Sequence, residues 1–498
     1  MKKICTVMLA AAMLLGAASG ASAIDFKAKG QWLMGFGVGE TTPIKHDDHD
    51  DQFNAAQRVR LQLDAVASEA LSGTVYFEIG TQVWGNAETG GALGADGQQV
   101  KVKRAYIDWT PPATDLKVRM GIQGLAMPNK AGGSAIMDTD VAAVVASYQF
   151  NDNAGLTAFW ARPVNDNYVD ANDKNNWLDN IDLFGLTMPL KFDGVEATPW
   201  VMYGFRGKNS IVNNGWDDDD YGWSTVDGNP PYTFLPYPAA LDLTNPKNHY
   251  RYGTDQAWGS LFWVGLPVAI TMFDPLNIEF DINYGYSEKM GRYDNWDANN
   301  VYRRGSTQRQ GWLAKALVEY KMDWGVPGIF GWYASGDDKN IKNGSERMPS
   351  VNPMGNFTSF MGDGNYGWIM QDLALDYSGT WGIGAQVRDM SFVEDLSHTL
   401  RVAYWGGTNA PGMAKYMGSS SAWTKGGFGN NTSPYLTTKD GLLEINFINN
   451  YKMYENFDIN FEASYIANFM NHNTWDKAGG SFSKQDMWKA EVIFAYSF

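Results

Sequence analysis

Residues 488–498 read WKAEVIFAYSF, and the sequence ends there. Trp488, Ala490, Val492, Phe494, Tyr496 and Phe498 are all apolar, while Lys489, Glu491 and Ser497 fall between them. Successive side chains of a strand point to opposite faces, so this stretch has one greasy face and one mostly polar face, with Ile493 the large exception. Aromatics recur on the greasy face up to the last residue. That pattern fits the closing strand of a transmembrane β-barrel with aromatics at a membrane boundary, and it marks Trp488, Phe494, Tyr496 and Phe498 as the closure residues.

The rest of the chain repeats the alternation. Ile24, Phe26, Ala28, Trp32, Met34 and Phe36 alternate with Asp25, Lys27, Lys29 and Gln31, which makes the opening strand. Val59, Leu61, Leu63, Ala65 and Ala67 then alternate with Arg58, Arg60, Gln62 and Asp64, and Val75, Phe77 and Ile79 with Tyr76 and Glu78. Further on, Ile278, Phe280, Ile282, Tyr284 and Tyr286 enclose Glu279, Asp281 and Asn283. By parity Ile282 faces lipid and Asp281 the lumen, so an arginine is expected to be better tolerated at 281 than at 282. Leu156 to Arg162 and Gly328 to Ser335 choose no face clearly. The uncharged run Ala257 to Phe273 is long enough to raise the question of a membrane helix, but Pro267, Gly259 and Gly265 argue for strand.

Connections come in two lengths. Short turns are expected near Ser68–Gly73, Thr110–Thr114, Asn151–Ala154, Pro189–Gly194, Asp274–Asn277, Lys321–Pro327, Asp389–Leu396 and Lys452–Phe457, with long stretches such as Gly207–Gln256 and Gly336–Gly379 between them. Short turns on one side and long loops on the other are what a barrel with periplasmic turns and extracellular loops requires. Eight hairpins and two end strands give 18 strands, and one hairpin fewer gives 16. The expected fold is all-β, a closed antiparallel barrel of 16–18 strands whose first and last strands pair, because lipid cannot satisfy an open sheet edge.

Lys2 and Lys3, the apolar run Ile4 to Ala18 and the small residues of Ala21-Ser22-Ala23 read as a cleaved secretory signal over residues 1–23, leaving 24–498 as the barrel domain. Cys5 is the only cysteine and lies in that signal, so no disulfide or cysteine-held metal is expected. The whole sequence has 39 basic and 55 acidic residues, a balance that argues against nucleic acid as a partner.

With signal, strands, turn rhythm and terminal Phe498 taken together, the chain resembles the trimeric outer-membrane porins. The segment Val118 to Phe150, above all GIQGLAMPNKAGGSAIMDTDVAAVVASYQF, is similar to the outer-membrane homotrimeric porin family of sulfate-reducing bacteria. The resemblance implies a homotrimer of barrels in the outer membrane, each with its own diffusion pore, and a third extracellular loop folded inward to narrow it. The chain is long for a 16-stranded member.

No catalytic motif stands out, and the sequence is read as that of a non-enzyme without cofactor or metal. His46 and His49 beside Asp47, Asp48, Asp50 and Asp51 could hold a divalent cation, but a solvated acidic loop is the plainer reading, as it is for Asp217 to Asp220. Loop tryptophans Trp216, Trp223, Trp296 and Trp423 could bind glycans, though packing or membrane anchoring explains them as well. Arg58, Arg60, Arg104, Lys117 and Arg119 fall on the polar face of neighbouring strands and are the candidate basic wall of the pore. The loop 124–140 carries Asp138 and Asp140, expected to oppose that wall across a constriction. The competing reading pairs these cations with Asp64, Glu78 and Asp108 in an ordinary polar lumen.

The function expected is passive diffusion of small hydrophilic solutes and ions. Two alternatives stand beside it: an anion-selective porin for oxyanions, and a secreted β-rich carbohydrate-binding protein or hydrolase.

Overall fold

The structure is a computed structural model that describes most of the chain from residue 24 onward; residues 1–23, 42, 44–51, 95–96, 98–99, 166–177, 179, 209, 211–232, 237–255, 298, 300, 361–368, 371–375, 418–434 and 477–482 lie outside the description. The expected signal, the His46–Asp51 and Asp217–Asp220 stretches, and Trp216, Trp223 and Trp423 fall among these.

Eighteen strands close into one antiparallel barrel. They are β1 (Asp25–Glu40), β2 (Gln52–Ser68), β3 (Leu71–Val83), β4 (Lys101–Trp109), β5 (Lys117–Ala126), β6 (Asp138–Asn151), β7 (Ala154–Asn165), β8 (Asn180–Thr187 and Leu190–Phe192), β9 (Val195–Ala197 and Trp200–Gly207), β10 (Trp258–Phe273), β11 (Leu276–Ser287), β12 (Arg309–Tyr320), β13 (Val326–Ala334), β14 (Thr380–Val393), β15 (Leu396–Gly407), β16 (Gly441–Tyr454), β17 (Phe457–Asn468) and β18 (Met487–Ser497). All eight expected hairpins are present, which decides 18 over 16. A closed barrel with an apolar outer band leaves the soluble secreted reading without support.

Proline explains the two broken strands. β8 is interrupted at Met188-Pro189 and β9 at Thr198-Pro199, since proline has no N–H to give the ladder. Their neighbours still use the carbonyls around the gap: Met188 N–H donates to Pro199 O at 2.9 Å and Thr198 N–H to Pro267 O at 3.1 Å. The uncharged run is strand β10, apolar on both faces because Leu261 and Trp263 are buried inward while Val264 and Leu266 are exposed outward.

β1 pairs with β18 from Gln31↔Ser497 to Glu40↔Trp488, and Gly30 and Phe498 exchange backbone hydrogen bonds of 2.9 and 3.1 Å. The expected pairing of the last strand with 24–36 is thus shifted toward Glu40; Asp25 to Lys29 pair with β2 alone. Phe498 lies beside Trp32, with ring centroids 5.3 Å apart. A Cβ on Gly30 would come within 2.6 Å of the Phe498 ring, so the seam requires glycine there.

Outward faces define a membrane band. Ile107, Leu186, Val264, Ile282, Ile329 and Ile383 are exposed between girdles that include Trp109, Phe150 and Tyr320 toward the short turns and Trp160, Tyr284 and Trp312 toward the long loops.

The two segments with no clear face have an inner face as apolar as the outer. In β7, Leu156 and Trp160 point out while Phe159 and Ala161 are buried; in β13, Ile329 and Tyr333 point out while Phe330 and Trp332 are buried. The described residues of the seventh long loop (335–360, 369–370 and 376–379) fold into the barrel and cover β13: the Phe357 ring stacks on Phe330 at 4.9 Å and on Trp332 at 5.7 Å. Each such side chain contributes about 1.5–3 kcal/mol on burial, so packing as well as polar anchors holds this loop inside.

Candidate functional site

The third loop (127–137) also turns inward. Met127, Ala131, Ile136 and Met137 are buried, and Gly133–Ser134 form a two-residue ladder with Met354–Gly355 of the seventh loop. Strands β5 and β6 continue to Ala126 and from Asp138, so the loop is shorter than the 124–140 expected. Its tip is caught on the far wall: Asp281 of β11 accepts hydrogen bonds from the Lys130 and Ala131 N–H groups at 3.1 and 2.6 Å, and Lys315 of β12 lies 3.7 Å from Asp281 and donates to Gly133 O. Parity placed Asp281 inside, where it is 1% exposed, so arginine is expected to be poorly tolerated at 281 as well as at 282.

The seventh loop is anchored on the opposite side. Glu444 of β16 accepts from Thr358 Oγ1 at 2.8 Å, Phe360 N–H at 2.9 Å and Trp405 Nε1 at 3.0 Å. Lys489 of β18 donates to Ser359 O at 3.0 Å and lies 3.3 and 3.6 Å from Glu491 and Glu462. Tyr377 ties the two loops together, donating to Gly132 O at 2.7 Å and accepting from the Asn356 and Phe357 N–H groups. Burial pushes the Tyr377 phenol above its ordinary pKa, which keeps this donor protonated.

These loops fill one side of the lumen. Inward residues of β10–β18 such as Trp263, Lys315, Trp332, Trp405, Glu444 and Lys489 are each at most 4% exposed. On β2–β5, by contrast, the side chains of Arg60, Lys103, Arg104 and Arg119 are 24%, 29%, 39% and 41% exposed. Among the described residues, the β2–β5 sector is therefore a stretch of inner wall that stays wet beside the loops, as do Arg388 of β14, 41% exposed, and Glu196 of β9, 44% exposed.

That sector is a ladder of ion pairs. Arg60 Nε donates to Glu78 at 2.7 Å, and Arg119 grips Asp108 through Nε and Nη2 at 2.7 and 2.9 Å while lying 4.2 Å over the Tyr106 ring. Thr74 and Gln62 donate to Asp64 at 2.7 and 2.8 Å. Arg58 shares the face of Arg60, and Lys117 is exposed at the periplasmic end of β5.

Asp138 and Asp140 do not oppose this wall. They open β6, where Asp140 pairs in register with Gly124 and shares the outward parity of Ala142. β4 and β5 pair only from Ala105 to Trp109, and in the gap above, Arg104 Nε donates to Asp140 at 2.5 Å while Lys103 Nζ lies 2.9 Å from the same carboxylate. The expected field across the lumen is replaced here by neutralisation along one edge. Lys103 was missed because an irregularity between Tyr76 and Phe77 shifts β4 by one residue, so strict alternation fails there. The loop anchors Asp281, Lys315, Glu444 and Lys489 were missed too; their signal is charge in mid-strand, flanked by apolar residues.

Among the described residues, no group of three or more His, Cys, Asp or Glu side chains could hold a metal ion.

The sequence matches no protein-family model and no curated protein. Pseudomonas aeruginosa OpdQ superposes with a TM-score of 0.51 at 10% identity, over 96% of this chain and 99% of that one. The fold is shared with OpdQ. The outer membrane protein OprD of P. aeruginosa (TM-score 0.48, 9% identity, 97% and 96% covered) and a BenF-like porin of Pseudomonas fluorescens Pf-5 (0.49, 8%, 95% and 98%) superpose less well.

Proposed function

We propose that the protein is an outer-membrane porin through which small hydrophilic solutes and ions diffuse passively. The observation that carries this reading is the pairing of an apolar outer band with a wet, polar stretch of the inner wall on β2–β5. Solutes pass along the ladder of Arg58, Arg60, Glu78, Asp108 and Arg119, with Lys117 at the exit. Lys103 and Arg104 form the upper edge of that path, where both are bonded to Asp140. The third and seventh loops together make the constriction, and the residues before Ile24 act as the export signal.

Selection for oxyanions needs cations in excess of acids at the narrow point. Arg60 and Arg119 are each bonded to a carboxylate, so these two present little uncompensated charge to an anion. Assembly into homotrimers belongs to the same reading and is tested by cross-linking in the native membrane. The test of the channel itself is conductance of the purified protein in a planar bilayer. Stable ohmic steps are expected; no conductance from correctly folded protein would sink the proposal.

A further inference from the structure

A recess opens on the outside of the barrel, where no solute of the pore can reach it. It has a volume of about 600 Å³ and lies across β7–β10, with walls of Trp160, Phe184, Phe205 and Trp258 and a polar floor of Arg162, Asp182 and Ser260. Its depth in the membrane follows from the strands. β7 rises from the short turn at 152–153, Trp160 belongs to the girdle on the long-loop side, and Arg162 lies two residues beyond it. That is the headgroup level of the outer leaflet, where an outward arginine costs about 0–1 kcal/mol rather than the 2–4 kcal/mol of the midplane.

The floor is built rather than incidental. Ala161 pairs with Leu183, so the register of β7 and β8 sets Arg162 across from Asp182, and β7 gains one residue on β8 before Val164 pairs with Ile181. Arg162 donates through Nε and Nη2 to the two Asp182 oxygens at 2.8 and 3.0 Å, Trp160 Nε1 donates to the same carboxylate at 2.8 Å, and the guanidinium lies 5.3 Å from the Trp160 ring. Arg162 and Asp182 both line the recess while bonded to each other. Phe205 stands edge-on to Phe184 at 6.3 Å and to Trp258 at 6.5 Å, fixing the opposite wall. At corresponding positions, β12 and β13 carry Trp312 stacked on Tyr333 at 5.3 Å, a girdle without an ion pair.

We propose that this recess binds the sugar headgroup of an outer-leaflet glycolipid. Acyl chains alone have no use for an ion pair, and a bare phosphate gains little from a cation already neutralised by Asp182. A saccharide uses all the parts: its hydroxyls accept from Arg162 and donate to Asp182, and its apolar ring faces lie against the indole and phenyl walls. The volume lies within the range of ligand sites. One strand away, Asp140 opens β6 on the same outward parity as Ala142.

The test is native mass spectrometry of the full protein extracted from outer membranes in mild detergent, followed by titration of delipidated protein with purified lipopolysaccharide. Wild type is expected to retain glycolipid and to rebind it, with Arg162→Gln/Asp182→Asn and Trp160→Ala/Trp258→Ala each about tenfold weaker and Tyr333→Ala unchanged. Heat-modifiable gel mobility reports barrel folding; if a double variant fails to fold, Arg162→Lys and Asp182→Asn are tested singly. Equal binding by folded recess variants and wild type overturns the proposal, as does no binding to wild type. Loss of oligomers in the recess variants with unchanged glycolipid binding also overturns it, making the recess a contact between copies. Since lipid retention is read without conductance, the glycolipid site and the channel reading fail separately.

Discussion

Ile282 and Asp281 are neighbours that the barrel wall separates, and they are constrained by different physics. Ile282 is 53% exposed on the outer face, so Ile282→Arg is expected to destabilise the barrel by about 2–4 kcal/mol near the midplane, measured as a lower urea midpoint of folding into vesicles. Asp281→Ala instead strips the third loop of its N–H anchor and leaves Lys315 buried beside no carboxylate; removing one partner of a buried pair typically costs about 3–5 kcal/mol. The loop has an escape that the strand lacks, so its release should appear as larger or noisier single-channel conductance. Unchanged conductance in folded Asp281→Ala protein would mean that the third loop does not narrow the pore. The facing of both residues was legible in the sequence because strand parity is strict. The burial of Asp281 was not, because it depends on a loop arriving from residue 130.

At the scale of elements, alternation was readable wherever one face met lipid and the other water. It failed at β7 and β13, where Phe159, Phe330 and Trp332 face an apolar interior supplied by the folded-in loops. The turns were readable because each hairpin is local. The path of the seventh loop was not, since its contacts reach Glu444 and Lys489, 84 to 130 residues along the chain. If those contacts hold it, Glu444→Ala together with Lys489→Ala should free the loop, raising conductance and exposing residues 335–379 to protease while the barrel keeps its heat-modifiable mobility. Resistance to protease equal to wild type would show that the Phe357 stack, the Tyr377 hydrogen bonds and the Met354–Gly355 ladder suffice. At the seam, deleting Phe498 removes the two hydrogen bonds to Gly30 and the contact with Trp32, and should reduce the yield of heat-resistant assembled protein. Full yield would assign closure to the rest of β18.

For the whole molecule, charge is where composition misleads most. The sequence carries a formal net charge of −16, which taken alone predicts cation preference. Yet charges further away than a Debye length of about 8 Å at physiological salt are largely screened, so a solute beside the β2–β5 wall responds mainly to the ladder. There the acids that parity also placed inside, Glu78 and Asp108, sit on Arg60 and Arg119, and a sequence cannot show whether such neighbours bond or stand apart. The pairing makes selectivity adjustable in both directions by single neutral substitutions. Asp108→Asn uncovers the Arg119 charge and should move the reversal potential under a salt gradient toward anions. Arg119→Gln uncovers Asp108 and should move it toward cations, with wild type between them. Shifts of the same sign, or no shift in either variant, would place the narrow point away from this ladder.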